Sequence, residues 1–124
     1  MHVPSNLSYT AEHEWLDLKA GTATVGVTAF ATAALGDVVF VELPDVGAKV
    51  TSGESCGEIE STKSVSDLYA PADGEVIAVN QAVIDDPALL NTDPFGEGWL
   101  FRLAITGSPE LLQATAYQAL IGGE

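Results

Sequence analysis

Gly36-Asp37-Val38-Val39-Phe40-Val41 is answered 38 residues later by Gly74-Glu75-Val76-Ile77-Ala78-Val79. Both segments read glycine, acid, valine, two apolar residues, valine. Pro44, Gly47 and Gly53 follow the first and break the chain into short pieces. Short apolar runs set off by proline and glycine at this spacing belong to a β-sandwich or barrel. The echo implies two similar β-units packed together, with the chain between them presented as an exposed hairpin. A mostly β fold is expected.

Working outward, Ala23 to Val27 mixes β-branched residues with a glycine after the turn signal Ala20-Gly21 and predicts a strand. Thr28 can cap a short helix over Ala29 to Leu35 that Gly36 ends, with Phe30, Ala33 and Ala34 as its buried side. Asp86-Pro87 predicts a helical turn with aspartate at the N-cap, stopping near Asn91. Trp99 to Ile105 reads as the last strand. Ser108-Pro109-Glu110 predicts the start of a C-terminal helix over 108–121, with Leu111, Leu112, Thr115, Ala116, Ala119 and Leu120 repeating at helical spacing and packing on the β-core. Residues 1–8 carry no informative pattern, and the whole of 1–124 is expected to be a single domain.

Composition limits the function. The chain has 124 residues with 18 Asp+Glu against 4 Lys+Arg, a formal net charge of −14. At this size roughly two-thirds of the unfolded surface can be buried, and 47% hydrophobic content supplies a core. Nucleic acid is disfavoured, because its affinity comes from lysine and arginine at phosphates; an anionic membrane would also repel the chain. No apolar run approaches the roughly 20 residues of a membrane span. No basic, apolar or arginine-rich leader opens the sequence, so a cytoplasmic location is expected, with a processed mitochondrial form as the alternative. The single Cys56 fits a reducing compartment and reads as a small buried hydrophobe.

Lysine is scarce. Lys19 and Lys49 sit beside turns and read as solvated charges, whereas Lys63 occupies the middle of Glu58-Ile59-Glu60-Ser61-Thr62-Lys63-Ser64-Val65-Ser66-Asp67-Leu68-Tyr69-Ala70-Pro71, between two strand-like runs and between the two echoed units. Small polar neighbours place it at an accessible hairpin tip. Glu58, Glu60 and Asp67 stand on the legs, where a modifying enzyme could read them. An amine on a long stem, on a rigid support and free of bulky neighbours, is what a swinging arm requires.

The sequence closely resembles the H proteins of the glycine cleavage system. The likeness is carried by Tyr9 to Trp15 (Tyr-Thr-Ala-Glu-His-Glu-Trp), Ala23 to Thr28, Leu35 to Leu43, Glu58 to Pro71, and Asn91 to Leu100. It departs at Ala29, where an aspartate is usual, and at Cys56, where a larger aromatic is usual. The resemblance implies a lipoyl/biotinyl-like β-sandwich, a barrel-sandwich hybrid of two pseudo-symmetric sheets with short helices. It implies lipoate in amide linkage to Lys63, within the context Glu60, Ser61, Thr62, Ser64 and Asp67.

It also implies a carrier with no catalysis of its own. The arm would take the aminomethyl group of glycine from a pyridoxal-phosphate glycine decarboxylase (P protein) to a tetrahydrofolate-dependent aminomethyltransferase (T protein). A dihydrolipoyl dehydrogenase (L protein) would reoxidise it, and lipoate-attaching enzymes would be further partners. Tethering replaces diffusion with a local search at high effective concentration. The loaded arm needs shelter from water, and the resemblance places His13, Glu14 and Trp15 near the sheltering cleft. Glu14 and Asp67 are the candidate carboxylates for its protonated amine, with Trp15 or other apolar walls excluding water. A monomer is expected.

Other readings are less well supported by the residues. Biotinyl domains set their lysine between methionines, and the sole methionine here is Met1. Lipoyl domains of 2-oxo-acid dehydrogenases lack the His-Glu-Trp segment and the terminal helix. An acid/base or metal site built on Asp85-Asp86 with Glu58 and Glu60 lacks zinc-ligand spacing and a histidine partner. An H-like protein relaying lipoyl groups to other enzymes is the alternative function.

Overall fold

The computed structural model describes residues 3–107 and 109–122. The elements in chain order are β1 (Ser8–Tyr9), β2 (Glu14–Lys19), β3 (Thr22–Val27), α1 (Ala29–Leu35), β4 (Val38–Glu42), β5 (Lys49–Val50), β6 (Ser55–Ser61), β7 (Val65–Tyr69), β8 (Gly74–Val79), α2 (Gln81–Asp85), α3 (Leu89–Thr92), β9 (Phe101–Ile105) and α4 (Ala114–Leu120). They form a six-stranded sheet, β1-β2-β3-β9-β8-β5, and a three-stranded sheet, β4-β6-β7. This is the expected β-sandwich with short helices and no closed barrel. The sheets are unequal because β1 and β2, ahead of the echoed segments, extend the larger one.

Alternating burial builds the space between the sheets. Leu16, Val25, Val38, Val41, Ile59, Leu68, Val76 and Leu103 all lie in one core cluster. The β2–β3 connection is a two-residue loop, since Lys19 faces Thr22. Both of its residues have positive φ, Ala20 at 51° and Gly21 at 82°. That is the backbone of a type I′ turn, whose twist matches the strands it joins.

The echoed segments are structural twins in different sheets. β4 shifts register between Val38 and Phe40 against β6, and β8 shifts register between Val76 and Ala78 against β9. The irregularity thus falls at the same place in both. Val38 and Val76 are buried, while Val39 and Ile77 face out.

Several local expectations are corrected. α1 is capped by Thr28, whose side chain accepts from the Ala31 N–H, and Gly36 follows it as anticipated. Its inward side, however, is Thr32 with Ala31 and Leu35, while Ala33 and Ala34 are exposed. Phe30 packs instead in a second cluster with Tyr9, Trp15, Ala114, Tyr117 and Ile121. The C-terminal helix begins at Ala114 rather than at 108, and Ser108 lies outside the described residues. The reason is a competing pairing: Leu112 N–H donates to Tyr9 C=O (2.7 Å) and Tyr9 N–H to Leu112 C=O (2.8 Å). That bridge commits the Leu112 backbone to a strand partner. The buried stripe of α4 is Ala114 and Tyr117 with Ile121 beyond it, while Thr115, Ala116, Ala119 and Leu120 are exposed. Asp86 ends α2 rather than capping α3, although the Leu89 and Leu90 N–H groups do turn back to the Asp86 and Pro87 carbonyls. The last strand starts at Phe101, two residues later than expected.

Candidate functional site

Lys63 is exposed at the β6–β7 tip, in a turn whose ends are Ser61 and Ser64. Ser61 N–H donates to the Ser64 carbonyl at 2.8 Å. The buried Ser61 hydroxyl accepts from the N–H groups of Lys63 (3.3 Å) and Ser64 (3.1 Å) and donates to the Ser64 carbonyl at 3.2 Å. Ser61 is therefore the brace of the turn as well as a small neighbour of the lysine. Thr62 N–H donates to the Asp37 carbonyl at 3.0 Å, which ties the tip to the start of β4. A methyl group at Gly36 would lie 3.5 Å from Lys63 Cε, so the lysine stem runs over a bare backbone. Asn91 holds that backbone from below, accepting from Val38 N–H (2.9 Å) and donating to the Gly36 carbonyl (2.8 Å). The sequence placed Asn91 as a helix stop and did not reveal this support.

Beside the hairpin opens a cleft of about 270 Å³ running from Ser64–Leu68 to α1 and to Glu12, His13 and Glu14. Val27, Ala31, Leu35, Ile59 and Leu68 supply its apolar lining. This lies just below the volume of drug-sized ligand pockets, about 300 Å³ and up, and suits a slender chain.

Glu14 is 2% exposed. Thr10 Oγ1 donates to its carboxyl at 2.7 Å. Burial nonetheless dominates and pushes the Glu14 carboxyl up to about 7, opposed by the Thr10 hydrogen bond, raised further by Glu12, and lowered by a hydrogen bond from the Tyr69 backbone. Asp67 borders the same cleft from β7 but is exposed, stands opposite Glu58 on the outward row of the sheet and accepts from Ser55 Oγ at 3.4 Å, so of the two candidate carboxylates only Glu14 is buried at the cavity.

His13 also borders the cleft, with a left-handed backbone (φ 69°) that a non-glycine residue adopts at a cost of about 1–2 kcal/mol. It is held there by Tyr117, whose hydroxyl lies 2.8 Å from His13 Nδ1 and 2.7 Å from Thr28 Oγ1. Tyr117 in turn stacks on Tyr9, ring centroids 4.7 Å apart. Burial lowers the His13 pKa, favouring a neutral ring that can accept from the Tyr117 hydroxyl. Tyr117 was invisible as a site residue in the sequence; its signal was the Ala114, Tyr117, Ile121 spacing, which marks the true inner face of α4.

Trp15 does not line the cleft. It points to the opposite side of the sheet from Glu14 and Leu16, as strand alternation requires. There it packs in the second cluster, and its Nε1–H donates to the Pro94 carbonyl at 3.0 Å. The apolar shelter comes from α1, β3, β6 and β7. Glu60 and Glu58 face outward from β6, away from the core, and Cys56 is half-buried with its thiol pushed up to about 11, chiefly by burial.

A two-sheet sandwich of this topology belongs to the lipoyl-domain-like class. The family model for the glycine cleavage H-protein matches residues 7–122. Curated relatives include the glycine cleavage system H proteins of Beutenbergia cavernae, 62% identical over 124 residues and covering all of both chains, and of Thermobifida fusca, 58% identical over 125 residues and covering 100% of this chain and 99% of the other. The crystal structure of a glycine cleavage system H protein from Mycobacterium marinum superposes with a TM-score of 0.93 at 52% identity, covering 97% of this chain and 99% of that one. The chain belongs to the glycine cleavage H-protein family.

Proposed function

We propose that this protein is the lipoyl carrier of a glycine cleavage system, with lipoate in amide linkage to Lys63. The observation that carries this reading is the braced tip: an exposed amine on a turn fixed by Ser61 and Asp37, with its stem over Gly36 and with a cleft walled by apolar side chains beginning at the neighbouring Ser64. The cleft is small, with an apolar wall from Val27, Ala31, Leu35, Ile59 and Leu68 and an acidic end at Glu14, which fits an aliphatic arm that ends in an amine. When attached, lipoate supplies a disulfide that is reductively opened as it takes up the aminomethyl group of glycine and is later restored by oxidation.

The chain's own contributions are mechanical and electrostatic. Ser61 and Asp37 hold the tether root still, so the search is confined to the reach of one arm. Val27, Ala31, Leu35, Ile59 and Leu68 exclude water from whatever occupies the cleft. Glu14 gains from meeting a protonated amine, because a cation at that spot repays the carboxylate's buried charge; Asp67 offers a second, solvated acceptor at the mouth. Tyr117 and Thr28 fix His13, and with it the Glu14 end of the cleft. The protein itself catalyses no step. Its partners are the decarboxylase, the aminomethyltransferase, the dihydrolipoyl dehydrogenase and the enzymes that attach lipoate. It acts in the cytoplasm as a monomer.

Intact-mass and peptide mapping after enzymatic lipoylation test the assignment: the mass of one lipoyl amide is expected on Lys63. Lys63→Arg, with an unchanged fold, is expected to abolish glycine cleavage in the reconstituted system. Retained activity in that variant would overturn the reading.

A further inference from the structure

The outer face of the three-stranded sheet forms a small grid. Register places Phe40, Glu60 and Val65 in one row across β4, β6 and β7, and Glu42, Glu58 and Asp67 in the next. The row with Phe40 and Val65 is the one nearer the Lys63 turn. Phe40 is 50% exposed and Val65 59% exposed, with Val39 beside them at 50%. Exposed apolar side chains on both sides of Glu60 and bordered by a row of three more acids, one residue pair from the tip, have the arrangement of a recognition surface.

Neither feature is needed by the fold. The twin of Phe40 in the second unit is Ala78, which sits at the same register shift. A ring at position 40 is therefore not required to make the irregular strand. The acidic row is worse than unnecessary, since like charges directly opposite on neighbouring strands destabilise a sheet. No cation relieves them: among the described residues the one ion pair is Lys19–Asp17, in β2.

We propose that this face, centred on Phe40 and Val65, is where the glycine-decarboxylating enzyme that loads the Lys63 arm seats the carrier, through an apolar depression rimmed by arginine or lysine around its active-site mouth. The inference rests on the carrier reading and adds the surface to it. The charge is complementary: a net −14 chain that concentrates three carboxylates beside its tether, none of them in an ion pair among the described residues, selects a basic partner and is steered to it.

Steady-state kinetics of the glycine-decarboxylating partner with fully lipoylated carrier, checked by mass, test it. Phe40→Thr is expected to raise KM for the carrier about tenfold with kcat unchanged, as loss of a central interface side chain does. Glu42→Gln with Glu58→Gln is expected to raise KM several-fold at low salt and to flatten its salt dependence, the ordinary behaviour of steering charges. Ile77→Thr, at the exposed twin of Val39, is the control and is expected to leave KM alone. Unchanged KM in both test variants, or an equal rise in the control, would overturn the surface while leaving the carrier reading intact. A wild-type carrier that accepts lipoate and supports no turnover would overturn both. Sedimentation is the third arm. A wild-type dimer that Phe40→Thr converts to monomers would assign the patch to a second copy and overturn the proposal; monomers throughout are expected.

Discussion

β4 and β8 begin from nearly the same six-residue text and end in different circumstances. Both put a valine into the core, both shift register at the next residue, and both send an apolar side chain outward at that point. β8 is then flanked by β5 and β9 inside the large sheet, whereas β4 is an edge of the small one. The glycines that open the two segments differ in the same way. Gly74 has ordinary backbone and is pressed against β9: an added Cβ would sit 2.5 Å from the Ala104 carbonyl oxygen. Gly36 has space around it and a backbone at φ 82°, ψ −156°, a region that is essentially glycine's alone. One glycine is kept by a packed neighbour, the other by the turn that carries the chain beneath Lys63. Where the twins agree, the fold is speaking; where they part, the site is.

Replacing each glycine separates the two causes. Gly74→Ala forces the backbone of two central strands apart and is expected to cost about 3 kcal/mol or more, at the upper end for overpacking. Gly36→Ala meets only the Lys63 stem and is expected to cost about 1–3 kcal/mol of backbone strain, less than Gly74→Ala. Urea unfolding of both variants checks the order, and a larger loss at Gly36 would undo the distinction.

Glu14 has no twin, and it sharpens the contrast from the side of function. Its carboxyl titrates at about 7 in the folded protein against an ordinary 4.5, so between those values the native state holds a proton that the unfolded chain has released. Stability tied to this group is fully present below pH 4.5 and is lost as pH rises through 7. The shift of about 2.5 units corresponds to about 3 kcal/mol, so at pH 8 Glu14→Gln is expected to be more stable than the wild type by an amount of that order. At pH 4 the two should coincide. Unfolding midpoints at both pH values measure it, and the wild-type minus variant difference cancels the repulsion common to the acidic chain. A gap that ignores pH would mean that burial does not penalise this carboxylate.

How far the sequence reached follows from where each signal resides. Thr28, Gly36 and the alanines between them made α1 legible because capping is local chemistry, within four residues. The hairpin of Lys63 was legible because its legs and tip are contiguous. The inner face of α4 was misread, because Leu112 is captured by Tyr9, more than a hundred residues away, and no local preference announces that bridge. Trp15 was misassigned for a related reason: adjacency in His13-Glu14-Trp15 does not survive a strand, in which neighbours point to opposite faces. β1, β2 and α2 were not anticipated, and β1 and α2 are too short to carry a period.

The smallest expected effect bears hardest on the comparison. If Phe40 serves the surface and not the fold, then Phe40→Ala, which makes position 40 identical to its twin at Ala78, should change unfolding free energy by no more than about 0.5 kcal/mol, the usual range for exposed positions. Its large ring is half in water, and the edge strand that bears it is aligned by β6 through Val38 and Val41, both buried. Removing it also removes an apolar side chain from an unpaired strand edge, so solubility should hold or improve. Urea unfolding at one pH suffices. A loss near the 3–5 kcal/mol typical of a core Phe→Ala change would mean that the ring is packed as a structural element, and that the sheet needs at position 40 what it does without at Ala78.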